Sequence, residues 1–342
     1  MKKRVVLGFS GGVDSAVSAI LLKESGYEVH GLYLDTGSAE NIENVIKAAN
    51  KIEMPINIAD VKDRLNDLVC KPFAAAYAAG KTPNPCIVCN PEVKFNALLR
   101  EADRLCCEHI ASGHYARAVN GQLFKGQAQN DQSYLLCRIK KEQLVRLILP
   151  LGDYNKEEAR KIAREHSLDS ADKPASMEIC FIPAGDHAAY IENLGIVPKP
   201  GRIMFEGRQV GEHDGIHKFT IGQRRHANIA AGERIYVSEI NAETGDVIMG
   251  RLHDLMSNRL YVNEIKYLTN PPEAESRCSV RIRHSKQSYE AKLIPMRADS
   301  GIVIFTEPAR AATPGQTAAF YDGDRVIGGG LIEKAYKLDR EN

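Results

Sequence analysis

The chain has 342 residues, 44% of them hydrophobic and 26% charged, with 45 basic against 44 acidic side chains and no tryptophan. That length suits two or three domains, and the composition excludes a disordered or fibrous chain. A formal net charge of +1 excludes blanket electrostatic attraction to nucleic acid, so such a partner has to be met by local patches. Apolar runs such as residues 73–79 are far short of the ~20 residues that span a bilayer. The basic start Lys2-Lys3-Arg4 is followed by only a short apolar run, which reads as a buried strand and not as a signal peptide. A cytoplasmic chain with no membrane partner is expected. Its eight cysteines should then be thiols, metal ligands or catalytic groups.

The first half alternates two periodicities. Residues 4–9 predict a strand, 15–25 a helix, 27–34 a strand, 41–52 a helix and 56–59 a strand. Residues 93–104 predict a helix, 109–112 a strand and 156–166 a charged amphipathic helix. Such alternation predicts a parallel sheet covered by helices, with ligands at the carboxyl ends of its strands. The pattern changes at Pro198-Lys199-Pro200-Gly201, after which turn signals such as Asp214-Gly215, Pro314-Gly315 and Asp322-Gly323 separate short runs at 234–237, 280–283, 301–305 and 325–332. These predict β-hairpins and a small barrel. The expected fold is α/β: a Rossmann-like domain over 1–195, a small β-rich domain over 196–255 and a C-terminal β-barrel over 256–342.

Ser10-Gly11-Gly12-Val13-Asp14-Ser15 joins the first strand to the first helix. Adjacent glycines let backbone amides approach an anion, and the helix N-terminus adds free N–H groups and its positive dipole end. Asp14 is placed to hold a magnesium ion or to cap the helix. The Walker spacing and its lysine are absent, as is the dinucleotide Gly-x-Gly-x-x-Gly. The loop resembles the pyrophosphate-binding loop of the N-type ATP pyrophosphatases. That resemblance implies ATP cleavage between the α and β phosphates, with adenylation of a substrate oxygen.

Further segments are Thr82-Pro83-Asn84-Pro85-Cys86-Ile87-Val88-Cys89-Asn90, Gly113-His114-Tyr115-Ala116-Arg117, Asp131-Gln132-Ser133-Tyr134, Ile179-Cys180-Phe181-Ile182 and Thr220-Ile221-Gly222-Gln223-Arg224. With the loop they make six segments, in an order that resembles the bacterial tRNA-specific 2-thiouridylase family. The resemblance is dense to about residue 226 and weaker beyond it. It implies ATP-dependent adenylation of the carbon 2 oxygen of a tRNA wobble uridine, followed by displacement of AMP by sulfur. It places ATP against Gly8, Phe9, Ser10, Gly11, Gly12, Val13, Asp14, Ser15, Leu34 and Gly113, with Mg2+. It assigns a persulfide to Cys180 and sulfur release to Cys89. The sulfur donor would be a cysteine desulfurase, a relay protein or inorganic sulfide.

Many relatives carry Asp directly after the second proline, where this chain has Cys86, so a carboxylate's role in proton transfer does not carry over. Cys86, Cys89 and Cys180 together also resemble the set that holds a four-iron, four-sulfur cluster in other tRNA thiolases on this ATPase fold. Three readings stay open here: a cluster, a persulfide relay with Cys86 as bystander, and zinc or inert thiols. Cys70, Cys106, Cys107, Cys137 and Cys278 read as buried structural thiols, the last two in strand-like runs.

Expected tRNA contacts are Asn84, Pro85, Asn130, Asp131, Gln132, Arg224, Arg281, Arg283 and His284. Asn130 stands where the family pattern has Lys. Arg281 and Arg283 alternate and would share one strand face, while Lys218, Arg224, Arg225 and His226 form a second basic group. His114 reads as a scaffold group or a proton carrier. The rival readings are a different RNA sulfurtransferase on the same ATPase core and a non-catalytic RNA-binding iron–sulfur protein.

Overall fold

A computed structural model describes residues 3–37, 42–127, 129–171, 179–182, 186–197, 199–224 and 233–337. The chain divides into two compact units, one of residues 1–69, 86–181 and 324–327, the other of 70–85, 182–323 and 328–342.

The first unit is built on β1 (Arg4–Gly8), α1 (Val13–Glu24), β2 (Glu28–Asp35), α2 (Ile42–Lys51) and β3 (Ile56–Asp60). The short α3 (Lys62–Leu65) follows β3. The five-stranded sheet has the order β3-β2-β1-β4-β7, with β4 at His109–Ala111 and β7 at Leu147–Ile148, and all pairings are parallel. Side chains alternate across β1. Val5 and Leu7 join a core with Val17 and Ile20 of α1, Val45 and Ala49 of α2, and Ala159 and Ala163 of the later helix Lys156–Glu165. On the other face Gly8 lies beside Leu98. From β1 the chain builds outward to β3, then returns to place β4 on the other side of β1. That reversal opens a crevice at the carboxyl ends of β1 and β4, where ligands of such sheets bind.

Two predicted helices begin earlier than expected. Helix α1 starts at Val13 because Gly12 takes the extended N-cap conformation, with no side chain closing the cap. The other starts at Pro85 and runs through Cys89, then a π-helical turn at Asn90–Lys94, then Phe95–Arg104. Proline suits the first position, where its missing N–H would be unpaired anyway. Pro91 cannot donate inside a helix and its ring crowds the preceding turn, so the backbone widens there. Cys137 follows a 3-10 turn at Ser133–Leu136 and is not in a strand, although it is buried as expected. A hairpin, Ala116–Val119 and Gln122–Lys125, also belongs to this unit, and Phe124 pairs with Arg325.

The second unit holds a four-stranded sheet of Tyr236–Ile240, Val247–Gly250, Gly201–Phe205 and Arg208–His213 in that order, over a core of Ile203, Ile216, Phe219, Val237, Val247 and Met249. It also holds six strands, Met256–Tyr267, Ser300–Arg310, Tyr289–Arg297, Ser276–Arg281, Thr317–Asp322 and Arg325–Lys337, whose first and last members pair to close a barrel. Closure leaves no strand edge unpaired. The expected strand over 280–283 stops at Arg281, so Arg281 and Arg283 do not share a strand face. No helix among the described residues is long and apolar enough to cross a membrane.

The barrel seam depends on a bare backbone at Gly328. A Cβ there would lie 2.2 Å from the Lys266 carbonyl and 3.0 Å from Tyr267 Cα. Gly328→Ala is expected to cost about 1–3 kcal/mol through overpacking. Denaturant unfolding checks this, and an unchanged midpoint would mean that the seam relaxes.

Candidate functional site

The loop from Phe9 to Ser15 is shaped by its own hydrogen bonds. Phe9 is buried and donates from its backbone to Leu32 O at 2.9 Å, which fixes where β1 ends. Gly11 turns with φ +76°, a left-handed conformation that glycine adopts without strain. Ser15 Oγ donates to Gly12 O at 3.0 Å, accepts from Ser10 N at 3.3 Å and lies 3.3 Å from Ser10 Oγ. The first turn of α1 therefore has an ordered loop wrapped over it and no side-chain cap. Amides left open in this way suit an anion.

Gly113 lies against this loop. A Cβ on it would sit 3.0–3.1 Å from Asp14 C, Asp14 O and Ser15 N, so the missing side chain lets the end of β4 approach the start of α1. Beside the loop is a cavity of about 310 Å³ lined in part by Ser10, Gly11, Asn44, Lys47, Lys51 and Ser170. A second cavity, about 530 Å³, runs along the other face past Leu32, Val61, Val93, Asn96 and Arg100. Leu34, two residues on from Leu32 in β2, is half-buried.

The sequence pattern did not reveal what holds Asp14. Lys156 Nζ donates to both carboxylate oxygens, at 2.6 and 2.7 Å, and the Tyr115 hydroxyl donates to Oδ1 at 2.5 Å. Burial and the neighbouring Asp14 carboxylate push the Tyr115 phenol far up, so it stays protonated and acts as a donor. Lys156 opens a helix capped by Asn155, whose side chain accepts from Glu158 N while Glu158 answers to the Asn155 amide. The lysine and the aspartate are 142 positions apart, so no local motif could have signalled the pair.

Asn130, Asp131 and Gln132 shape the same neighbourhood. Asn130 Oδ1 accepts from the Lys156 amide at 3.0 Å, and Gln132 Oε1 accepts from the Tyr115 amide at 3.1 Å. Asp131 accepts from the amides of Gly126 and Ser133 and from the Ser133 hydroxyl.

Pro85 and Cys86 open the helix that ends at Cys89, and Asn84 sits half-buried in the extended approach to it. Cys86 and Cys89 are half-buried and Cys180 is exposed. Burial pushes the Cys86 thiol up, the Lys94 ammonium pulls it partly back, and nearby Cys180 raises it again. In the absence of a bound ion, burial therefore works against thiolate formation at Cys86. Among the described residues no three His, Cys, Asp or Glu side chains gather as a metal-holding set. Asp14, by contrast, offers a hard oxygen donor beside the anion loop, which suits Mg2+.

His114 is half-buried beside Ser112, whose Oγ lies 2.9 Å from Nδ1. Burial, helped by Lys94, holds its pKa well below the ordinary 6.5. Lys94 thus acts on both His114 and Cys86, although in the sequence it stands out only as a neighbour of the cysteine segment.

In the second unit Arg281 is 8% exposed, with its guanidinium 5.0 Å from the Tyr321 ring. Arg283 donates to Ile221 O at 2.9 Å, Ala311 O at 2.6 Å and Thr313 Oγ1 at 2.8 Å, and so pins the Thr220–Arg224 turn. Arg224 and His284 are exposed. Lys218 is paired with Asp214 and Glu192, while Arg225 and His226 lie outside the described residues.

Because folded His114 stays neutral below pH 6.5, the unfolded chain takes up its proton first as pH falls. The stability this neutral imidazole contributes is complete above that pH and is lost as the pH drops through the depressed folded value. Denaturant unfolding should therefore weaken from pH 7.5 to 5.5, and weaken less in His114→Asn. Equal slopes would refute the buried neutral state.

Comparison with known proteins places these features in a family. Residues 3–184 match the family model "tRNA methyl transferase HUP domain", 191–251 the "tRNA methyl transferase PRC-barrel domain" and 257–332 the "Aminomethyltransferase beta-barrel domain". A tRNA-specific 2-thiouridylase MnmA from Natranaerobius thermophilus is 38% identical, covering 98% of this chain and 98% of the relative. One from Salinibacter ruber is 38% identical over 99% and 97%, and MnmA 1 of Clostridium tetani is 38% identical over 97% of each chain. Among solved structures, a 4-thiouridine synthetase–RNA complex with ATP aligns with a TM-score of 0.37 and 16% identity, over 56% of this chain and 50% of that one. Identity of 38% over nearly the full length of each chain, with family models matched across residues 3–184, 191–251 and 257–332, makes this chain a member of the tRNA-specific 2-thiouridylase (MnmA) family.

Proposed function

We propose that this protein uses ATP to replace the carbon 2 oxygen of a tRNA wobble uridine with sulfur. The observation that carries this reading is the uncapped start of α1 at the crevice between β1 and β4, in the same compact unit as Cys86, Cys89 and Cys180. The amides of Gly11 to Ser15 receive the departing pyrophosphate of ATP. Mg2+ on Asp14 would draw charge from the phosphate oxygens. The uridine oxygen attacks the α-phosphorus, and the P–O bond to pyrophosphate breaks.

A Cys180 persulfide, loaded by a cysteine desulfurase or a relay protein, then attacks carbon 2 through its terminal sulfur. The bond to AMP breaks, leaving the base joined to Cys180 through two sulfurs. The Cys89 thiolate attacks the Cys180 sulfur, the sulfur–sulfur bond breaks, and the base departs as 2-thiouridine. A Cys89–Cys180 disulfide remains, which a cellular thiol must reduce before the next cycle. Exposure of Cys180 suits loading by a partner protein. Cys86 stays outside this relay, and no step runs through an iron–sulfur cluster. The chain is read as three functional parts, 1–195 for activation and 196–255 with 256–342 for gripping tRNA, through Arg224 and His284 foremost.

The test is pyrophosphate release from ATP with and without tRNA, with nucleoside analysis of the product and iron analysis of anaerobically purified protein. Wild type should release pyrophosphate with tRNA and yield 2-thiouridine without iron. Cys180→Ser should keep pyrophosphate release and lose thiolation. No release would favour a non-catalytic RNA binder, and a different thionucleoside another sulfurtransferase. Iron and sulfide lost together with activity in Cys86→Asp would replace the relay by a cluster.

A further inference from the structure

We propose that Lys156 is a resident cation on Asp14 that a nucleotide-borne divalent ion has to displace, so that Lys156 is a positioning residue which keeps metal entry tied to nucleotide binding. This rests on the ATP reading of the loop.

One ammonium spans both Asp14 oxygens, at 2.6 and 2.7 Å, while Tyr115 takes a further position on Oδ1 at 2.5 Å. The carboxylate's side facing Lys156 is therefore filled, and a metal ion can take it only by exchange. The lysine is not a loosely held surface group. Its side chain is 18% exposed, its amide is fixed to Asn130 Oδ1 at 3.0 Å, its helix start is locked by Asn155 and Glu158, and its ammonium lies 5.8 Å from the Tyr115 ring.

Electrostatics gives the exchange a direction. A bare carboxylate in the first turn of α1 would repel the phosphates that the neighbouring amides attract. Lys156 cancels that charge, so a triphosphate can approach. The arriving metal offers Asp14 a stronger cation, while the phosphates offer the displaced ammonium a new anion. Free metal brings no such anion, so it has to strip Lys156 from Asp14 without compensation. The site should discriminate against metal that comes without nucleotide.

The experiment is Mn2+ binding followed by the electron paramagnetic resonance of free Mn2+, with no nucleotide present. Wild type and Lys156→Arg should bind Mn2+ weakly. Lys156→Gln should bind it at least tenfold more tightly, and the added substitution Asp14→Asn should abolish that gain. Equal Mn2+ affinity in wild type and Lys156→Gln would overturn the proposal, as would tight binding in Lys156→Arg, which also serves should the Gln variant not fold. Binding of α,β-methylene ATP with Mn2+ to wild type is the parallel control. Its absence would overturn the ATP reading and this inference together, whereas its presence beside unchanged Mn2+ affinities would overturn this inference alone.

Discussion

The unpaired amides at the start of α1 are the constraint around which the first unit is arranged. A helix that begins on an extended glycine, with no side-chain cap, exposes donors that have to be answered by something. The strand order puts that end at the reversal beside β1. Gly11 turns the loop, Ser15 ties it back on itself, and Gly113 lets β4 come close enough to brace it. Each of these small residues serves one geometric end, an amide-lined pocket beside a carboxylate.

Much of this was legible in the sequence because it is written locally. Alternating periodicities gave the parallel sheet, paired glycines and a serine after an apolar run gave the loop, and turn signals gave the β-rich second half. The features that stayed hidden are non-local. Lys156 looks like the first residue of an ordinary charged helix, and only the folded chain brings it to Asp14. Arg283 looked like half of a basic stripe, because alternation assumes that the strand continues. The strand stops at Arg281, and Arg283 spends its donors on carbonyls of its own unit. The helix predicted over 93–104 was too short, since the chain is already helical from Pro85 and passes Pro91 through a π turn.

The cysteine segment illustrates how one substitution redistributes chemistry. A carboxylate after the second proline would be ionised and able to accept a proton near neutral pH, while burial pushes the Cys86 thiol up, away from its ionised form. Lys94 only partly offsets that burial, and the same lysine helps to keep His114 neutral. One ammonium thereby lowers the pKa of two side chains on different elements, against burial at Cys86 and with it at His114.

The π turn at Asn90–Lys94 makes the position of the cysteines depend on chain length as well as on residue type. One extra residue in a helical turn rotates the preceding segment by roughly 100° relative to the segment after it. Cys86 and Cys89 face as they do because that surplus residue is present upstream of Phe95–Arg104. Removing a single residue between 90 and 94 would leave the Cys86-x-x-Cys89 spacing unchanged. It would still turn the thiols about a quarter of a revolution around the helix. For this segment the number of residues between the cysteines and Phe95 fixes orientation as well as distance.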